Sequence, residues 1–224
     1  MTRDRRRRAP PAPVALLALI LGLLLPGRVG AESQTETETL HLLAFGDSLV
    51  QGYGLPRGES FPAQLEAALR AEGHDVAITN AGSSGDTSET GAARLSWVLR
   101  PETDAVIVVL GANDALRGID PSVTRKNLEA ILSTLRDREM PTLLAGMKAP
   151  RNLGRDYARA FDQIYPALAR AHDVVFYPFF LAGVAQKPAL NQDDGIHPNA
   201  RGVARIVARL LPKVEALIAR ARQD

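Results

Sequence analysis

Cysteine is absent from all 224 residues. That excludes disulfides, thiolate metal sites, a cysteine nucleophile and a lipid-modified N-terminal cysteine. A run long enough to cross a bilayer is also missing. The continuous apolar run from Val14 to Leu25 has twelve residues, against the ~20 that a membrane-spanning helix needs. There is no internal repeat and no composition shift that would mark a second domain, and a monomer is expected. An excess of positive charge is absent from the body of the chain as well. Leaving out residues 1–31 takes Lys+Arg from 27 to 21 and Asp+Glu from 25 to 24, so the net charge moves from +2 to −3. A mildly acidic body makes no case for a nucleic-acid partner.

The first 31 residues have the order of a secretory signal peptide. Arg5 to Arg8 form a basic start, Val14 to Leu25 an apolar centre, and Pro26-Gly27 break it. Small residues at Val29-Gly30-Ala31 predict cleavage after Ala31 and a periplasmic or secreted product. Glu32 to Thr39 is polar and repetitive and reads as a flexible leader. Residues 40–224 then form one domain. With 46% hydrophobic residues it is a globular chain with ample length to bury a core.

Within that domain strands and helices alternate. Leu40–Phe45 is an apolar strand. Phe61, Leu65, Ala68 and Leu69 share one face of a helix over about 61–72, which Gly73 ends. Val76-Ala77-Ile78 is a short strand, and a helix over about 88–100 is closed by Pro101. The unbroken run Ala105–Leu110 suits a central parallel strand covered on both faces. Asp120-Pro121 starts the next helix with a cap and an N1 proline. Thr142–Met147 is a strand. Tyr157, Phe161, Ile164 and Leu168 mark one helix, Val174–Tyr177 a last strand, and a C-terminal helix begins near Asn199. Pro212 should kink or restart that helix. The order predicts a flavodoxin-like, three-layer α/β/α fold with a parallel sheet of about five strands.

Four segments rich in Gly, Asn, Asp and Ser interrupt the pattern: Gly46-Asp47-Ser48, Asn80 to Thr87, Gly111-Ala112-Asn113-Asp114, and Asp193 to Pro198. The first three follow strands, and in this layout those strand ends share one edge of the sheet, so the segments can converge. Ser48 is a nucleophile if a histidine can take its proton and donors can hold an oxyanion. His41, His74 and His172 each have a structural explanation. His197 lies in an irregular loop, and Asp194 three residues earlier can reach its Nδ1 and leave Nε2 for Ser48. Alone, Asp-x-x-His is a weak signal, and Asp194 could merely cap a helix. The N–H groups of Ser48 and Gly85 and the amide of Asn113 are candidate oxyanion donors, although Asn after a strand often only makes a turn. Leu116, Ile119 and Met147 are candidate walls of a substrate groove. Met147 could equally finish a core strand. Asp47, Asp86 and Asp114 are expected to hold the loops through backbone hydrogen bonds.

Together these segments resemble the SGNH hydrolases, the GDSL esterase/lipase family. The resemblance rests on Gly46-Asp47-Ser48-Leu49, Gly85, Gly111-Ala112-Asn113-Asp114 and Asp194-Gly195-Ile196-His197, and covers nearly all of residues 40–212. It is nearest to a periplasmic branch of acyl-CoA thioesterases, lysophospholipases and arylesterases. That branch is marked here by Ser84-Gly85-Asp86-Thr87-Ser88, by Asn113 to Gly118 and by Gln192 to Pro198. It often carries Gly-Gly-Asn-Asp where this chain has Ala112, which removes no donor. The resemblance implies Ser48 as nucleophile, His197 as base, Asp194 as its orienting acid, and Ser48, Gly85 and Asn113 as the oxyanion hole. It implies a small acyl ester or thioester as substrate and neither metal nor cofactor. The chain lacks the Gly-x-Ser-x-Gly elbow of ordinary α/β-hydrolases. Two other expectations stand beside it: a carbohydrate O-deacetylase of the same family, and a flavodoxin-like binding module without catalysis.

Overall fold

The computed structural model describes residues 38–223. The expected signal peptide, 1–31, lies outside them, and so do residues 32–37 of the leader. Among the described residues no helix is long and apolar enough to cross a membrane.

Five parallel strands form one sheet: β1 (Leu40–Gly46), β2 (Val76–Gly82), β3 (Ala105–Val109), β4 (Thr142–Ala145) and β5 (Val175–Tyr177). Their order is β2-β1-β3-β4-β5. β1 therefore has β2 on one side and β3 on the other, and the chain's direction across the sheet reverses there. In doubly wound sheets the crevice beyond such a switch point is where ligands bind. The register sharpens this. Gly46 pairs with Gly82 and with Val109, so the loops after β1, β2 and β3 leave the sheet level with one another. Glycine is needed at position 46 because a Cβ there would collide with the Val109 carbonyl and the Val50 side chain.

Helices cover both faces. α2 (Phe61–Ala71) and α8 (Ala200–Ala221) pack together on one, and α3 (Ser88–Val98), α5 (Pro121–Arg136) and α7 (Ile164–Ala171) neighbour one another on the other. β3 is buried along its whole length, as a central strand between two helical layers should be. Asp120 caps α5, its side chain accepting from the Ser122 N–H at 2.8 Å. The three-layer α/β/α architecture is as the alternation predicts.

Two helices differ from the sequence reading. The single helix expected around Tyr157 to Leu168 is two, α6 (Arg155–Asp162) and α7. Pro166 explains the break: it has no N–H to give the Asp162 carbonyl, and its ring crowds that carbonyl. For Pro212 the sequence predicts a kink or a restart, and of the two the restart does not occur. α8 runs through it unbroken, because Val203, Ile206, Val207 and Leu210 before the proline and Val214, Leu217 and Ile218 after it bury one continuous stripe. Two short helices, α1 (Ser48–Gln51) and α4 (Ala112–Leu116), stand at the carboxyl ends of β1 and β3.

Candidate active site

The turn after β1 is built from Gly46-Asp47-Ser48. Asp47 caps α1, its Oδ1 accepting from the Leu49 N–H at 2.9 Å. Ser48 is thereby the first residue of a helix that starts at the strand end, and its Oγ stands at the sheet edge. From the far end of the chain, 149 residues on, His197 brings Nε2 to 2.9 Å from Ser48 Oγ.

The loop that carries His197 is a tight hairpin. Asn191 and Pro198 form an antiparallel bridge, the Gln192 N–H donates to the His197 carbonyl at 2.8 Å, and Gly195 makes the turn at φ +71°. Asp194 Oδ2 lies 2.6 Å from His197 Nδ1, while its Oδ1 accepts from the N–H groups of Ile196 and His197 at 2.8 and 2.9 Å. Burial pushes the Asp194 carboxyl up, but the hydrogen bonds from the His197 side chain and these two N–H groups outweigh it and hold it at about 2. A carboxylate ionised at neutral pH therefore faces Nδ1. Structure and sequence reading agree that Ser48, His197 and Asp194 come together in this order.

The other expected site residues arrive less evenly. Asn113 lies in the first turn of α4 and donates from Nδ2 to the Asp86 carbonyl at 2.9 Å. Gly85 adopts φ +84°, a conformation that favours glycine, and its carbonyl accepts from Arg117 Nη2 at 2.9 Å. Among the described residues neither the Ser48 nor the Gly85 N–H has a protein acceptor. A cleft of about 710 Å³ opens beside Ser48, Asn113 and His197. Leu116 and Met147 line it, as expected. Ile119 does not. Gly118 turns the chain at φ +64° toward the Asp120 cap, and Tyr157 Oη holds the Ile119 carbonyl at 2.8 Å. Gly85 is not among the lining residues either.

Residues 44–205 match the profile of the GDSL-like Lipase/Acylhydrolase family. The chain belongs to that family. The arylesterase of Vibrio mimicus is 39% identical over 204 residues, 89% of this chain and 98% of that protein. The thioesterase 1/protease 1/lysophospholipase L1 of Escherichia coli K12 is 42% identical over 159 residues, 70% of this chain and 75% of its own length. Among solved structures, the SGNH-hydrolase family esterase AlinE4 is 50% identical, with a TM-score of 0.69 over 80% of this chain and 96% of that one.

Several groups around this GDSL site were not singled out in the sequence. Arg94 on α3 donates from Nη2 to the carbonyls of Gly46 and Ala81, at 2.8 and 2.9 Å, and from Nε to Asp86 Oδ2. Its guanidinium also lies 4.5 Å from the Phe45 ring centre. It thus ties the ends of β1 and β2 to the loop that carries Gly85. Three residues after buried Gly91, it falls on the inner side of α3, but the carbonyls it meets have no signal in the sequence. Asp86 is a correction to the expectation for the three loop aspartates, since its carboxylate binds the side chains of Arg94 and Thr90. Asp114 does accept from a backbone N–H, that of Ser88 at 2.8 Å, and also from Thr124 Oγ1 at 3.1 Å.

Asp47 is the unusual group. It is fully buried, and Oδ2 has no hydrogen-bond partner among the described residues. Burial pushes its carboxyl up to about 7. The Leu49 N–H pulls against that, and the nearby charges of Asp86 and Asp114 add to it. Tyr53 is the second unforeseen neighbour, its ring centre 4.6 Å from that of His197. Gln192 Nε2 holds the Tyr53 carbonyl at 2.7 Å and that of Pro198 at 3.0 Å, which clips the loop after α1 to the histidine loop. The remaining histidines lie elsewhere, His172 being buried against Glu129 with Nε2 2.7 Å from its carboxylate.

Proposed function

We propose that this chain is an exported serine hydrolase of carboxylic esters and thioesters, working through a covalent acyl-enzyme. Ser48 Oγ attacks the acyl carbon while His197 Nε2 takes its proton. Ionised Asp194 keeps the imidazole in the tautomer that can accept that proton, and stabilises the imidazolium that results. The carbonyl oxygen becomes an oxyanion, held by the Ser48 and Gly85 N–H groups and by the second hydrogen of the Asn113 amide, the first being engaged with the Asp86 carbonyl. His197 then protonates the departing alkoxide or thiolate and leaves Ser48 acylated. Water, deprotonated by the same imidazole, attacks that ester and frees the acid and the serine.

The observation that carries this reading is the relay Ser48 Oγ, His197 Nε2, His197 Nδ1, Asp194 Oδ2, with links of 2.9 and 2.6 Å. The arylesterase and thioesterase/lysophospholipase relatives support the ester and thioester range. The cleft of about 710 Å³ has room for acyl chains longer than acetyl, and the apolar Leu116, Met147, Phe179 and Leu181 in its wall suit such a chain better than a sugar. Export rests on residues 1–31, with cleavage after Ala31, into the periplasm or the medium.

A series of p-nitrophenyl esters of rising chain length tests both parts. Medium chains should be turned over faster than acetate, and activity confined to acetate would favour the deacetylase. Ser48→Ala and His197→Ala should each lower kcat by about 10⁴-fold or more, with an unchanged circular dichroism spectrum. Near-normal turnover in either would refute the assignment.

A further inference from the structure

The face around the cleft carries features that catalysis does not use. Among the described residues, five large apolar side chains are exposed: Tyr53, Trp97, Leu116, Val123 and Ile196. Three of the five surround Ser48 and His197. Leu116 and Ile196 line the cleft, at 50% and 46% exposure, and Tyr53, at 52%, lies outside it against the His197 ring. The apolar rim therefore extends past the cavity that a substrate would fill. Contiguous exposed apolar surface of this kind marks an interaction site.

The charges that line the cleft itself are of one sign. Lys148, Arg151 and Lys187 line the cleft and are exposed, and no Asp or Glu lines it. Arg151 is paired with Asp162 at 2.9 Å, and Lys148 sits 5.3 Å from the Phe179 ring centre. Asp193 and Asp194 are exposed acids of the histidine loop, the second engaged with His197. These residues come from the segments that follow β1, β3, β4 and β5, so they lie at the carboxyl edge of the sheet. We infer that this face docks on an anionic lipid surface, with Tyr53, Leu116 and Ile196 entering the headgroup layer and the two lysines and Arg151 meeting its phosphates. Apolar insertion combined with basic charge is how a protein lies on a membrane without crossing it. Such docking would let Ser48 receive acyl esters from the lipid phase. That use rests on the hydrolase reading, but the docking is measured with no ester present, so the two can fail separately.

The lack of cysteine gives a direct test. A single Leu116→Cys in the full chain can carry an environment-sensitive fluorophore, and Trp97→Cys, near the end of α3 at the opposite sheet edge, is the control. Phosphatidylglycerol vesicles should shift the emission of the label at 116 to shorter wavelength and leave that at 97 unchanged. Phosphatidylcholine vesicles should shift neither. Each cation near an anionic surface is worth about fivefold in partition, so adding Lys148→Glu and Lys187→Glu should weaken vesicle partition about 25-fold or more. Raised salt should do the same by screening. Three outcomes would overturn the proposal: equal shifts on the two lipids, equal shifts at 97 and 116, or vesicle binding with no shift at 116. The last would place the attachment away from this face. Circular dichroism of the double charge variant separates lost docking from lost fold.

Discussion

Two aspartates stand beside the two ends of the proposed relay, and they differ in nearly every respect. Asp47 precedes Ser48, is wholly buried, has one oxygen without a partner, and is pushed up to about 7. Asp194 lies three residues before His197 on a surface loop, has both oxygens occupied, and is held at about 2. The same side chain thus becomes a poor acid in one place and a strong one in the other. What decides is whether donors replace the water that folding removes. Asp47 loses its water and receives one N–H; Asp194 keeps some water and gains an imidazole and two N–H groups.

The contrast assigns different work to the two groups, and substitutions can break it. Asp194→Asn should give the largest effect. No backbone group holds His197 Nδ1; the N–H groups of the loop hold the carboxylate instead. An amide there would favour the wrong tautomer, as in other triads, where the loss is about 10⁴-fold. We expect a fall in kcat of about 10³–10⁴-fold on a soluble ester. A loss under tenfold would mean that the adjacent, tilted Tyr53 ring and the loop alone orient the imidazole. Next comes Asn113→Ala, which removes one proposed oxyanion donor and should lower kcat by about 10²–10³-fold with little change in KM. A change confined to KM would place Asn113 in substrate binding instead.

Asp47→Asn should act mainly on stability. The folded value of about 7 lies above the unfolded 3.8, so between about pH 4 and 7 the native state keeps a proton that the unfolded chain has released. The contribution of Asp47 is intact below about pH 4 and is lost as pH rises through about 7, by a few kcal/mol at about 1.4 kcal/mol per pKa unit. Asparagine keeps the oxygen that caps Leu49 and has no charge to bury, so urea midpoints at pH 5 and pH 8 should draw together in the variant. An unchanged gap would show that Asp47 does not titrate in that range. Asp194 has the opposite sign. Its folded value lies below 3.8, so its contribution is present above about pH 4 and fades as pH falls through about 2.

Much of this was legible in the sequence, for identifiable reasons. Ala105–Leu110 announced a central strand because it is apolar without alternation, and Asp120-Pro121 announced a helix start because cap chemistry is local. Ser48, His197 and Asp194 could be singled out because each breaks a periodic pattern at a strand end or a helix entry. What escaped has no local signature. α1 and α4 are too short for a periodicity to register. Pro166 interrupts the helix, but the apolar spacing of Tyr157, Phe161, Ile164 and Leu168 runs across it and hides the break. The cleft wall after β4 and β5, including Lys148, Phe179 and Leu181, comes from irregular segments whose placement depends on tertiary packing. Arg94 and Tyr53 matter through partners far along the chain. The partnerless Oδ2 of Asp47 is a property of burial that no spacing reveals.

The central claim is that residue 48 carries the nucleophile activated by His197, and a mechanism-directed label tests it most directly. An alkyl fluorophosphonate reacts with an activated serine hydroxyl and leaves ordinary serines alone. Mass spectrometry of the inactivated chain should find one adduct per chain, on Ser48, with ester hydrolysis lost in proportion to labelling and no adduct formed in His197→Ala. An adduct on another residue, or full hydrolysis by a chain labelled at Ser48, would contradict the account.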